Sequence, residues 1–232
     1  MHKIIRKALG KLNITIALML AIVMAGGLGG ATYVLASGTS TFGQTINAGS
    51  LATDIVDAAY ASVASPSVAM NAVAFSFAYQ TATGVFGTAS QQIYVSNPDA
   101  AANGWTLTVA PPATTDFWDS TGTDFDFNDP TAEAGDGADT DTLGGQMTVD
   151  PSGATLAVGQ CNNCVVTNIT KGSSTAYNEG TTDSVTLLTA AALSDDIGDW
   201  TLQSVSISQT IPAEQPAATD YTINMVLTVT AS

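Results

Sequence analysis

From Tyr221 to Val229 the chain places Tyr221, Ile223, Met225, Leu227 and Val229 at every second position, with Thr, Asn, Val and Thr between them. A period of two lays all five on one face of a β-strand, an arrangement a helix cannot reproduce. The same period recurs at Trp105, Leu107 and Val109, set between threonines, and Thr and Val favour the pleated backbone. Phe75, Phe77 and Tyr79 alternate with Ser76 and Ala78 in the same way. Further strands are predicted at Gln91–Ser96, Gln146–Val149, Val165–Val166, Ser184–Leu187 and from Trp200 through Ile207, with a short helical turn within Leu188–Ile197. Between Leu202 and Val205 the apolar phase slips, which predicts a bulge near Gln203–Ser204. Short strands separated by turn residues, with no long helical pattern among them, predict an all-β, immunoglobulin-like β-sandwich. Residues 111–141 break the pattern with acids, Gly, Thr and Pro, and read as a long acidic loop inserted in it.

The first 36 residues differ from everything that follows. His2, Lys3, Arg6, Lys7 and Lys11 precede the apolar run Ile14–Ala25, a Gly-rich patch at 26–30 and Val34-Leu35-Ala36. Small residues at the end of such a run fit signal cleavage before Ser37; uncleaved, the segment is long enough to anchor the chain in a bilayer. Residues 1–36 are therefore expected to be a signal peptide or anchor, and 37–232 the exported domain, secreted or held at the cell surface.

Beyond residue 36 all twenty Asp and Glu stand against the single cation Lys171, a formal charge of −19. Such a surface repels phosphate polymers and anionic headgroups, so nucleic acid and membrane beyond the leader are excluded as partners. No His and no Arg remain in this part. That excludes Ser–His and Cys–His nucleophiles and Arg phosphate clamps, and the domain reads as non-enzymatic.

Nine carboxylates lie between Asp116 and Asp141, interleaved with Gly and Asn128. Calcium takes six to eight oxygen ligands from such loops. Asp124, Asp126, Asn128 and Asp129 offer spaced oxygens, and Asp136, Asp139 and Asp141 could complete the set. The other reading is a solvated acidic loop. The spacing is not that of an EF-hand, which needs Gly at the sixth position and Glu at the twelfth. Cys161 and Cys164 have no further soft ligands for zinc and no βαβ setting for redox work, and are expected to form a local disulfide. Trp118, beside Phe117 in the acidic stretch, is the expected exposed aromatic, whereas Trp105 and Trp200 are expected in the core.

Asn103-Gly-Trp-Thr-Leu-Thr-Val109, preceded by Ile93-Tyr-Val-Ser-Asn-Pro98, resembles the first Trp-x-Leu motif of the WxL family of bacterial surface proteins. Ile211-Pro-Ala213 leading into Tyr221–Val229 resembles that family's closing segment. The second motif is displaced: Met225-Val-Leu227 stands where it should be, and Trp200-Thr-Leu202 lies one strand earlier. The resemblance carries Trp105, Leu107, Trp200 and Leu202 as motif residues and implies attachment to a cell-wall polymer or another surface protein. An alternative is a filament subunit whose segment Thr41–Leu51 adds a strand to a neighbour; a carbohydrate-binding module is the other.

Overall fold

The computed structural model describes residues 2–29, 43–45, 47, 49–98, 103–130, 144–192 and 197–232. The chain divides into two units, Met1–Ile46 and Asn47–Ser232. In the first, His2–Gly29 form helix α1. It starts within the basic segment rather than at Ile14, because Ile4, Ile5, Leu9 and Leu12 extend the apolar composition and no Pro intervenes. Ile4–Met24 is long and apolar enough to cross a membrane, and its place at the N-terminus equally suits an export signal.

The second unit is built of short strands: β1 (Ala52–Val56), β2 (Gln80–Phe86), β3 (Gln92–Asn97), β4 (Trp105–Ala110), β5 (Phe117–Trp118), β6 (Phe125–Asp126), β7 (Asn128–Asp129) and β8 (Gly145–Asp150). There follow β9 (Thr155–Val158), β10 (Ile169–Lys171), β11 (Thr175–Ala176), β12 (Val185–Ala190), β13 (Gly198–Gln203), β14 (Val205–Ile211) and β15 (Val226–Ala231). Every pairing among them is antiparallel.

Three of these runs are long strands interrupted at the same level. β14 pairs with β2 and with β8, while β13 pairs with β3 and with β9. The breaks fall at 87–91, at Ser204 and at 151–154. Ser204 has φ 64° and Gly87 φ 81°, and the Ser204 N–H donates to the Gly87 carbonyl at 2.7 Å. The phase slip read near Gln203–Ser204 falls at this break, where β13 ends and β14 begins in a different sheet. β1 lengthens one half of this layer beside β3, and β7 and β11 flank β8 in the other.

A separate sheet runs β10-β12-β4-β15. In β12 the register against β4 shifts between Thr186 and Leu188. The irregularity turns both Leu187 and Leu188 inward, where a regular strand would bury only one. Trp105, Leu107 and Val109 from β4 join Ile93, Val95, Met147, Val149, Trp200 and Leu202 in one apolar core. Each large side chain so buried contributes roughly 1.5–3 kcal/mol.

Three sequence expectations change. Phe75–Tyr79 is not a strand, since the outer edge of β2 is met by Met70 and Asn71 instead, leaving the three aromatics exposed. Val165–Val166 is irregular and more than one-third exposed; the strand starts at Ile169. Leu188–Ala190 belong to β12, held by pairing with β4 rather than in a helical turn; residues 193–196 lie outside the described ones.

Candidate functional site: an open groove beside the last strand

β15 lies at the end of its sheet, and among the described residues it pairs only with β4. The run leading into it keeps the predicted alternation: Tyr221, Ile223, Met225, Leu227 and Val229 are half-buried and the residues between them exposed. Tyr221, Ile223, Met225 and Leu227 line a groove of about 630 Å³ that opens against them. One lip is residues 221–227, and the other is formed by 66–68, Met70 and 86–88, with Thr53–Ile55 of β1 at its side. Its floor reaches Val109, Met147, Val149 and Ile207, all members of the core. Seven residues in extended form span about 23 Å, so a lip of this length suits an extended chain.

Hydrogen bonds fix the lip. Asp119 and Thr222 exchange main-chain bonds at 2.8 and 2.9 Å. Asp220 accepts from the Thr121 hydroxyl at 2.7 Å and from its N–H at 3.0 Å, which holds its carboxyl below the usual carboxylate range. A second cleft of about 520 Å³ adjoins the groove, sharing Val68, Met70, Trp118 and Tyr221 with it.

The acidic stretch, as far as it is described, is packed rather than looped out. Trp118 stacks on Phe125 at 5.9 Å and donates from Nε1 to Gln209 Oε1 at 2.9 Å. It is therefore a half-buried wall of the groove and not the free aromatic expected from its acidic surroundings. Gln209, itself buried, donates from Nε2 to the Asp126 carbonyl at 3.0 Å.

Of the candidate calcium ligands, Asp124 Oδ1 accepts the Ser120 N–H at 2.8 Å, and Asp126 Oδ1 accepts Phe127 N–H at 2.6 Å and Asn128 N–H at 3.2 Å. Asn128 donates from Nδ2 to the Thr114 carbonyl at 2.8 Å. Asp126, Asn128 and Asp129 are buried. Asp136, Asp139 and Asp141 lie outside the described residues.

Among the described residues, one group brings three acidic or sulfur ligand atoms within 4.8 Å of one another: Cys161, Cys164 and Asp199. Its sulfurs are joined as the expected disulfide. The Asp199 carboxylate is buried and accepts three bonds, from Gln160 N–H at 2.6 Å, Cys161 N–H at 2.8 Å and the Tyr94 hydroxyl at 3.0 Å. Burial first, then Asp199, pushes the Tyr94 phenol above its ordinary value. The sequence reading missed Asp199. Its one signal is that it directly precedes the buried Trp200.

The motif residues Trp105, Leu107, Trp200 and Leu202 are all fully buried. They are structural, and no ligand reaches them from solvent. Phe75, Phe77 and Tyr79 are the exposed aromatics instead, Phe77 to 80 %, with Phe75 and Phe77 edge-to-face at 5.2 Å. No family model, curated protein or solved structure matches the chain.

Proposed function

We propose that the chain is an exported, non-catalytic structural or adhesive protein of the cell surface, an immunoglobulin-like sandwich that holds a partner polypeptide by taking it as an added strand. One observation carries this reading: a sheet edge that is unpaired among the described residues, with β1 alongside but not hydrogen-bonded to it, stands above a groove that descends to the core. Natural edge strands are blunted by charge, Pro or a bulge. β15, Val226-Leu-Thr-Val-Thr-Ala231, has no charge and no Pro, and its register with β4 is continuous. Strand addition supplies affinity through main-chain bonds and specificity through alternate side chains in pockets.

The N-terminal apolar helix and the disulfide support export to an oxidising compartment. The resemblance to WxL proteins adds a wall polymer or a second surface protein as partner, with contact falling to surface groups because both tryptophans are buried. Calcium, in this reading, stabilises the 111–141 stretch; a higher Tm in millimolar Ca²⁺ than in chelator supports that part, and equal values remove it.

Hydrogen exchange of the exported chain with and without isolated envelope tests the reading. Protection gained at 223–231 is the expected result. Sedimentation with envelope while those amides stay unprotected overturns it. A second reading, carbohydrate binding, rests on exposed Phe75, Phe77 and Tyr79. It predicts that wall polysaccharide quenches tyrosine fluorescence less in the Tyr79→Ser variant.

A further inference from the structure

We infer that the strand taken into the groove comes from Thr41–Leu51 of a second copy of this chain, so that copies join head to tail. This rests on the strand-addition reading above and names its occupant. Three observations select that segment. The first is charge. The domain carries −19, and an acidic or basic peptide would respectively be repelled or bound by charge alone. Residues 37–53, in contrast, contain no ionisable side chain, so the segment itself adds no repulsion where it meets an acidic domain.

The second is pattern. Within Thr-Phe-Gly-Gln-Thr-Ile-Asn-Ala-Gly-Ser-Leu, alternate positions carry Phe42, Gln44, Ile46 and Ala48. One face of an extended strand thus presents Phe42 and Ile46 about 13 Å apart, with small or uncharged groups between. That face matches a groove whose lip offers Ile223, Met225 and Leu227 and whose floor offers Met147 and Ile207. The other face, Thr41, Gly43, Thr45, Asn47 and Gly49, is small and polar, as the solvent side requires.

The third is position. The segment ends where β1 begins at Ala52. Its last residues already join their own domain, the Gly49 N–H donating to the Pro98 carbonyl at 3.4 Å and Leu51 packing against the core. The donated part is therefore the stretch ahead of Gly49, and residues before Thr41 are expected to be removed with the leader or to stay in the membrane. It is chain that reaches the cell exterior next to a folded domain. Donor and acceptor are different surfaces of one molecule, so the contact is heterologous. Repeated without a closing rotation, it gives an open filament. Self-repulsion at −19 opposes this assembly at low salt, and screening relieves it.

The test uses the exported chain, followed by light scattering and electron microscopy at low and high salt. Linear assemblies that lengthen with salt are expected. The Phe42→Asp/Ile46→Asp double variant is expected to stay monomeric with the Tm of the parent monomer, since both changes lie ahead of the first strand. Added synthetic peptide 41–51, at ten times its Kd, is expected to slow exchange at 223–231 of that variant about tenfold, and a scrambled peptide to leave it unchanged. Assemblies that survive the double substitution overturn the inference, as does exchange at 223–231 indifferent to the peptide. If envelope still protects 223–231 after that result, strand addition stands and only the occupant falls. If neither envelope nor peptide protects it, both fall.

Discussion

Trp105 of β4 and Trp200 of β13 meet in the core with ring centroids 5.5 Å apart and planes tilted by 41°. The two Trp-x-Leu segments thus bring the sheets of β4 and β13 together, Leu107 and Leu202 fully buried two residues on. Trp200 also donates from Nε1 to the Val165 carbonyl at 2.9 Å, satisfying its polar edge. Trp105→Ala and Trp200→Ala are each expected to cost about 3–5 kcal/mol in urea unfolding. The double variant should lose less than the sum, because the second truncation enlarges a cavity the first has already opened. Additive losses would show that the pair does not act as one packing unit.

The coordinated break in the long strands yields a pair of opposite expectations. Gly87 has φ 81°, and a Cβ there would lie 2.7 Å from the Leu202 carbonyl oxygen. Gly87→Ala should destabilise by about 1–3 kcal/mol. Ser204, exposed at φ 64°, already bears a left-handed penalty of about 1–2 kcal/mol, partly offset in a Ser204→Gly variant by the extra freedom of the unfolded chain. Ser204→Gly should therefore stabilise by about 0.5 kcal/mol. Thermal melts of both variants check the signs.

These residues also show how far the sequence could be read. The strands around Trp105 and Trp200, and the break at Ser204, were legible because one buried face imposes period two and any slip shows at once. β1 and β2 were not, since Ala52-Thr-Asp-Ile-Val56 carries an acid and Gln80–Phe86 a glycine, both unfavourable in strands. Phe75–Tyr79 misled for a physical reason: alternation shows that residues could share a face, but not that a neighbouring strand exists to pair with them. The groove was illegible because it depends on how residues 66–68, Met70 and 86–88 stand across from Ile223 and Met225. Asp199 escaped because its partners, Tyr94 and the amides of Gln160 and Cys161, are distant in sequence or belong to the backbone.

At the Cys161–Cys164 loop, the carboxylate is expected to matter more than the covalent bond. The disulfide closes a loop of sequence separation three, for which the chain-entropy argument gives about 2 kcal/mol. Asp199 accepts two backbone amides and one phenol from a buried position. Bonds to a charged acceptor are worth about 1.5–3 kcal/mol each, and their donors would be left unmatched. Asp199→Ala should cost about 3 kcal/mol or more, exceeding the loss in Cys161→Ser/Cys164→Ser. The reverse order in urea unfolding would assign the loop to its disulfide.

Tyr177 gives the domain an alkaline limit. Its ring is fully buried against Phe127 at 5.2 Å, and its hydroxyl donates to the Val109 carbonyl at 2.8 Å. Burial pushes the phenol well above its ordinary value of 10.0. With a raised folded value, the folded state keeps its proton where the unfolded chain has lost it. Stability is therefore full below pH 10 and falls as pH rises toward the folded value, by up to about 1.4 kcal/mol per pH unit for this one group. Tyr177→Phe should cost about 1 kcal/mol at pH 7 through the lost hydrogen bond. Above pH 10 its stability should fall less steeply than that of the parent, so the two curves converge. Tyr94, whose phenol is also raised, stays in both proteins and cancels in the comparison. Urea unfolding from pH 7 to 11 measures the difference; parallel curves would mean that the Tyr177 phenol ionises equally well in the folded chain.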